Sequence, residues 1–207
     1  HWAVSDVTHV DAMLGYVDLD NGYDAFSLDN NRTTLSDEPG RDAQRSVFGS
    51  LKLAWEGAEA FTVEALTSLA SSDSTYGYDE DWTYVGFDPD GYSSTDYYLR
   101  DRRDTTAEIK LLSKDAGRLF GGATGWVAGV YGLQRDENLR RLYTFLPGPF
   151  TSAFEVDRFA AFGELQTALG ERYQLTTGAR YERQESNYAD SDAIAFSPAE
   201  NLFGWRV

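Results

Sequence analysis

Residues 158–186 read RFAAFGELQTALGERYQLTTGARYERQES, two alternating arms joined at Gly170-Glu171-Arg172. On the first arm Phe159, Ala161, Gly163, Leu165, Thr167 and Leu169 share one face, and Arg158, Ala160, Phe162, Glu164, Gln166 and Ala168 share the other. On the second arm Tyr173, Leu175, Thr177, Ala179 and Tyr181 lie opposite Gln174, Thr176, Gly178, Arg180 and Glu182. Period-two alternation marks a sheet with unlike faces, whereas a helix would scatter the polar residues through its apolar stripe. Both arms exceed the usual strand of ~5–6 residues. Tyr173 and Tyr181 bracket the second apolar face, and eight steps of ~3.3 Å make roughly 26 Å of strand. Tilted by ~40°, that is roughly 20 Å of height, near the ~25 Å apolar band between the aromatic girdles of a transmembrane barrel. Taken alone, the hairpin also fits a soluble sandwich strand flanked by two tyrosines.

Other stretches repeat the pattern. Residues 8–17 set Val10, Ala12, Leu14 and Tyr16 against His9, Asp11 and Gly15, and residues 45–56 set Val47, Leu51, Leu53 and Trp55 against Ser46, Ser50, Lys52 and Glu56. Residues 60–71 set Phe61, Val63, Ala65 and Leu69 against Thr62, Glu64 and Ser68, and residues 103–113 set Thr105, Ala107, Ile109 and Leu111 against Thr106, Glu108 and Lys110. Residues 124–135 set Val127, Gly129, Tyr131 and Leu133 against Trp126, Ala128 and Gln134, and a last run carries Phe203, Trp205 and Val207 on one side. The expectation is an all-β antiparallel meander of about eight long strands, part of a larger transmembrane β-barrel.

The connections sort by length. Residues 17–44, 72–102, 135–157 and 183–201 form long links on one end of the sheet, while EGAE, KDAGRLFGGAT and GER are the shorter links on the other. Outer-membrane barrels have this asymmetry, and a sandwich or soluble barrel has no physical reason to sort its loops so. The acidic residues sort with the long links, Asp18 to Asp42 in one and Asp73 to Asp104 in another, away from the predicted apolar band.

Composition narrows the function. With 34 acidic and 18 basic residues the formal charge is −16, and no basic footprint for nucleic acid is visible. There is no cysteine, hence no disulfide, thiolate metal site or cysteine nucleophile. No run of about 18 apolar residues exists, which excludes a transmembrane helix but not a barrel strand needing ~9–11 alternating residues; a mean hydropathy of −0.47 is compatible with that. The two histidines, His1 and His9, the lack of a G-x-S-x-G elbow and the turn-like GGATG give no catalytic constellation, so no enzyme and no cofactor are expected. Glu80-Asp81 as a glycosidase dyad and NRT at 31–33 as a glycosylation acceptor are chance patterns. DLDNGYD (18–24) and DPDGYSSTD (88–96) gather oxygen ligands that calcium could use, but neither has EF-hand spacing, and solvated loop turns explain both. The best binding candidate is YGYDEDWTY, in which Tyr76, Tyr78, Trp82 and Tyr84 interleave with Asp79, Glu80 and Asp81; rigid aromatics there could form a ligand vestibule, a membrane girdle or loop packing. Arg100, Arg102 and Arg103 form a basic island that could meet an anionic ligand or pair with neighbouring aspartates.

FAAFGELQTALGERYQLTTGARYE, with its aromatic-small-Phe-Gly-polar strand, tight turn and Leu-Thr-x-Gly-x-Arg-Tyr-Glu, resembles the barrel of TonB-dependent outer-membrane receptors. GWVAGVYGLQRDENLRR, GYDAFSLDNNRTTLSDEPGRD and the YGYDEDWTY to IKLLS stretch are similar to further segments of that family, so the resemblance covers nearly the whole chain. It implies a barrel of about 22 strands closed by a plug, and a location in the bacterial outer membrane. It also implies import of a scarce small-molecule nutrient (siderophore, cobalamin or oligosaccharide) driven by the TonB complex. Residues 1–207 are then expected to be a partial barrel, truncated at both ends and without the plug. Its partners would be outer-membrane lipid, its own plug domain, TonB and the ligand. Glu64, Glu108, Lys110, Gln166 and Arg180 are the candidates to face the lumen and contact the plug. A passive porin-like barrel and a soluble β-sandwich module binding carbohydrate or calcium are the alternatives.

Overall fold

A computed structural model describes residues 1–22, 26–38 and 40–207. Ten strands follow in chain order: β1 (Trp2–Ser5), β2 (Thr8–Gly22), β3 (Arg41–Trp55), β4 (Phe61–Asp79), β5 (Thr95–Ser113), β6 (Thr124–Tyr143), β7 (Phe150–Ala168), β8 (Gln174–Asp190), β9 (Ala195–Phe196) and β10 (Ala199–Arg206). They form one antiparallel sheet, each strand paired with the next through β8, which then pairs with both β9 and β10. The sheet is a nearly all-β meander that does not close on itself. Two short 3₁₀ turns, Asp115–Gly117 and Phe120–Gly122, lie between β5 and β6.

The two additional strands have simple causes. β1 folds back on β2 through Asp6-Val7, a hairpin too short to show alternation. β9 and β10 are one strand interrupted at Ser197-Pro198, because proline has no N–H to give the ladder. The Pro198 carbonyl still accepts the Ser186 N–H at 3.0 Å, so the pairing resumes in step.

The long links are shorter than their sequences suggest. β4 runs on to Asp79, β6 to Tyr143 and β8 to Asp190, so the upper connections shrink to 80–94, 144–149 and 191–194, and only 23–40 remains long beside 80–94. Polar alternation on both faces hides these extensions, since they have no apolar side. β6 is 20 residues, roughly 65 Å at ~3.3 Å per residue. Tilted by ~40° it rises roughly 50 Å, well beyond the ~30 Å of a hydrocarbon core.

Register sorts the side chains. Val10, Ala12, Leu14 and Tyr16 align with Leu53, Leu51, Gly49 and Val47, and this outward face continues through Ala65, Ile109, Val130, Ala161, Tyr181 and Phe203. It stays open: Leu14 is 83% and Ile109 50% exposed, and Val156 and Ala160 are the only buried apolar residues among those described. A soluble sandwich would press such a face against a second sheet, and the described residues form a single one. Above the apolar band each outward face turns charged within one or two steps, Tyr16 to Asp18, Val47 to Arg45, Phe159 to Asp157 and Tyr181 to Arg183.

β6 reverses the phase expected from its sequence. Val130 pairs with Ile109 and Ala161 on the outward face, whereas Val127 pairs with Glu164 and Tyr131 with Glu108 on the inner one. Both faces of this strand are apolar enough to pass for the lipid side, and a slip of one residue exchanges them completely. Gly129 is required there, because a Cβ would stand 2.5 Å from the Phe162 ring lying across it. In the barrel protein folded into lipid vesicles, Val130→Arg is expected to cost about 2–4 kcal/mol near the bilayer midplane, while Val127→Arg, beside Glu164, costs less than about 1 kcal/mol. Equal losses in a denaturant titration would restore the other phase.

Candidate functional site

The inner wall at mid-height is built by cross-strand pairs. Glu64 and Lys110 face each other between β4 and β5, and Lys52 reaches in from β3. Glu64 accepts from Lys52 at 3.0 Å and Lys110 at 3.5 Å, and Lys110 also meets Glu108 at 3.2 Å. Beside them the Arg180 guanidinium lies over the Tyr131 and Phe162 rings, 5.6 and 5.8 Å from their centroids. Glu182 joins Arg180 at 2.6 Å and Arg158 at 3.1 Å. Gln166 donates to Glu164 at 3.0 Å, and Glu164 pairs with Arg206. Of the residues read in sequence as plug-facing candidates, Glu64, Glu108 and Lys110 form one cluster on this face, Arg180 lies in a second and Gln166 in a third. Lys52, Arg158, Glu164, Glu182 and Tyr131 complete the wall. Alternation shows the polar side of four of these, but only the register shows who meets whom.

Above the apolar band the inner wall becomes aromatic. Tyr76 and Tyr78 from β4 have ring centroids 5.8 Å apart, Phe26 meets Tyr78 edge-on at 5.8 Å, and Phe26 stacks on Trp82 at 5.2 Å. Trp82 has φ +58°, a left-handed conformation costing about 1–2 kcal/mol for an L-residue, which turns its ring toward Phe26. Tyr84 is not part of this wall; it pairs with Phe87 at 5.5 Å. Across the sheet Tyr76 faces Tyr98, and Tyr78 faces Asp96. Arg141 grips Asp96 with both Nε and Nη2, the shorter contact 2.6 Å, while its guanidinium lies between the Tyr98 and Tyr143 rings. Tyr98, Arg141 and Tyr143 belong to the site without any local sequence signal, because pairing across β4, β5 and β6 brings them in; Phe26 comes in from the connection before β3, and Asp96, read in sequence only as the end of a calcium-like stretch, is drawn in by Arg141.

Arg100 and Arg102 do not join the aromatic wall. Arg100 meets Glu137 at 2.9 Å, and Arg102 and Arg135 share Asp104 at 2.9 and 2.5 Å. Among the described residues, nine lysines and arginines are ion-paired on the inner wall, so much of the acidic excess lies on the outward upper face and in the loops.

The carboxyls of Asp79 and Asp81 are taken up by backbone and hydroxyl donors of the neighbouring connections. Asp79 accepts the Asp37 N–H at 3.2 Å, Asp81 accepts the Ser94 N–H at 2.9 Å and the Thr83 hydroxyl at 2.6 Å, and Asp37 accepts the Val85 N–H at 2.7 Å. These bonds tie the 26–38 and 80–94 connections to the tops of β4 and β5. Burial and the neighbouring Asp81 carboxyl push Asp79 above the usual carboxylate range. Burial would push Asp81 the same way, but its Thr83 and Ser94 donors outweigh that and hold it low.

The calcium candidates do not assemble. Asp88 accepts the Asp90 N–H at 2.7 Å in a local turn, and Asp96 is taken by Arg141. In the 18–24 stretch Tyr23 and Asp24 lie outside the described residues. No group of three or more metal-ligating side chains occurs among the described residues.

The profile of the TonB dependent receptor-like beta-barrel matches residues 3–206. No curated protein matches the sequence. Among solved structures, the ferric yersiniabactin uptake receptor FyuA from Yersinia pestis superposes with a TM-score of 0.69 at 12% identity, over 97% of this chain and 32% of that one. The unliganded ferric citrate transporter FecA gives 0.66 at 14%, over 98% and 31%. The ferric preacinetobactin receptor BauA from Acinetobacter baumannii gives 0.56 at 13%, over 97% and 35%. The chain thus spans about a third of the length of these receptors, a family of transporters and receptors whose barrels sit in outer membranes. A wet, ion-paired inner face, an apolar outer face and this match over nearly every residue lead to one conclusion: the chain belongs to the TonB-dependent receptor β-barrel family.

Proposed function

We propose that this chain is wall and rim of a TonB-dependent transporter in a bacterial outer membrane, binding a scarce nutrient on the outside and passing it inward past a plug. The observation that carries this reading is the sorting of faces: an apolar band against lipid, an ion-paired inner wall, and an aromatic wall above the band where a ligand would first be met. Lipid satisfies no backbone group, so a spanning sheet must pair its strands along their length, as β3 to β8 do with both neighbours. The solved receptors named above take ferric chelates, which favours a siderophore over cobalamin or an oligosaccharide. No covalent chemistry is required of the wall; its contribution is binding and the transmission of binding to the plug.

In bacteria producing the receptor, growth on a ferric siderophore under iron limitation should require both the receptor and TonB. Uptake that persists without TonB would make the barrel a passive pore and defeat the proposal.

Two sets of substitutions divide the roles. Tyr78→Ala and Trp82→Ala should each weaken ligand binding about tenfold or more, as truncating a central aromatic contact does, with Tyr84→Ala near neutral in the same binding titration. Glu108→Ala and Arg180→Ala should slow uptake severalfold at unchanged ligand affinity, because they disturb the surface offered to the plug. Unchanged uptake in both would remove Glu108 and Arg180 from that role.

A further inference from the structure

Just below the aromatic wall the inner face carries more arginine than acid, and the two are sorted by depth. On β5, Arg100, Arg102 and Asp104 follow Tyr98 down the same face, and Arg135 stands across from Asp104 on β6. One oxygen of Asp104 accepts from Arg102 Nε at 2.9 Å, and the other accepts from Arg135 Nε at 2.5 Å. Among the described residues these are the hydrogen bonds that the two guanidinium groups make, so the terminal nitrogens of both are left open. Asp104 is 23% exposed, while Arg102 and Arg135 stand over it at 37% and 35%. Arg100 covers Glu137 in the same way, Arg141 covers Asp96, and Arg158 and Arg180 cover Glu182. These pairs set six arginines against four carboxylates, with the acids underneath. A molecule moving along this wall meets cations, although the chain as a whole carries a formal charge of −16. On β4, Ser74 and Ser72 stand opposite Arg100 and Arg102 and add hydroxyl groups to the same surface.

A guanidinium presents its N–H donors as a planar fork that matches the two oxygens of a carboxylate, and it keeps its charge at any working pH. A long side chain free to swing loses rotamer entropy when it grips an anion. Arg102 and Arg135 are already held by their Nε edges, so less remains to be lost. We infer that Arg102 and Arg135, anchored on Asp104 and flanked by Arg100, form an oxyanion subsite that takes a carboxylate-class group of the ligand below the aromatic wall. Arg102 is four residues past Tyr98, roughly 13 Å along the strand at ~3.3 Å per residue. The subsite deepens the proposed function and rests on the lumen being the ligand's route. It favours a chelate that carries anionic oxygen groups over a neutral one.

The test is arginine footprinting with phenylglyoxal on the whole receptor, plug included, in detergent. Modification is read peptide by peptide by mass spectrometry, with citrate as the carboxylate probe and sodium chloride of equal ionic strength as the reference. Millimolar citrate should slow modification of Arg102 and Arg135 at least about fivefold, the scale of a charge-assisted pair, and leave the outward-facing Arg45 unchanged. Arg135→Gln should remove most of the protection at Arg102. Arg135→Lys, which keeps the charge but not the fork, should restore less than about half of it. Should the Arg135 variants lose the wild-type reactivity of the outward arginines, Arg102→Gln, read at Arg135, takes their place. Equal rates with and without citrate, or equal protection by sodium chloride, which is screening alone, would overturn the subsite. Half or more of the protection kept in the lysine variant would do the same. So would two arginines that stay unreactive throughout, since the plug would then occupy the fork. Growth that depends on TonB is a separate readout, so the subsite can fail while the transporter reading stands, and a passive pore could still show the footprint.

Discussion

Backbone hydrogen bonding governs everything else in this chain. In a bilayer, a sheet whose outward face is apolar from Leu14 to Phe203 would have no water on that side to satisfy a stray N–H or C=O, so each strand must find its partner along its length. That requirement explains the nearest-neighbour meander, the in-step pairing that survives Pro198, and the lack of an ordinary core. The interior of a soluble domain is replaced by two unlike solvents, one on each side of a single layer.

Given the ladder, the faces follow from parity. Side chains at every second position form the outward apolar face, and those between form the inner polar one. The inner ones are mutually satisfied: Lys52, Glu64, Lys110 and Glu108 neutralise one another, and Arg180 finds both Glu182 and two aromatic rings. Such part-buried pairs add little net stability, because desolvation offsets most of the attraction. Their value is a wall of defined shape and near-neutral charge in a chain whose formal charge is −16.

How far this was readable from sequence depended on whether the two faces differ. The 158–182 hairpin, with Leu165 and Tyr181 on one side and Glu164 and Arg180 on the other, has the face assignment that alternation predicts. β6 does not, because Val127 and Tyr131 look as fit for lipid as Val130, and only the partners Glu164 and Glu108 decide. The strand overhangs were hidden for the opposite reason: at Arg100–Asp104 and Arg135–Glu137 both faces are polar, so extended strand reads as loop. The aromatic wall was half legible. Tyr76, Tyr78 and Trp82 stand together in sequence, whereas Phe26, Tyr98 and Tyr143 arrive through chain reversal and cross-strand register. The same limit applies to Arg100 and Arg102, whose acidic partners Glu137 and Asp104 are fixed by pairing and local geometry rather than by nearness to the aromatic stretch.

The overhang of the strands has a mechanical consequence. Hydrogen-bonded ribbon continues far past the apolar band to Tyr143 and Asp190, and the tips at 144–149 and 191–194 are short. On that side the mouth is a stiff palisade, able to bear load without changing shape. The 26–38 and 80–94 connections, over β2 to β5, are the only described parts of the mouth with enough slack to bend. An incoming molecule would thus meet an anvil on one flank and a hinged flap on the other, and any motion of this portion of the rim would be one-sided.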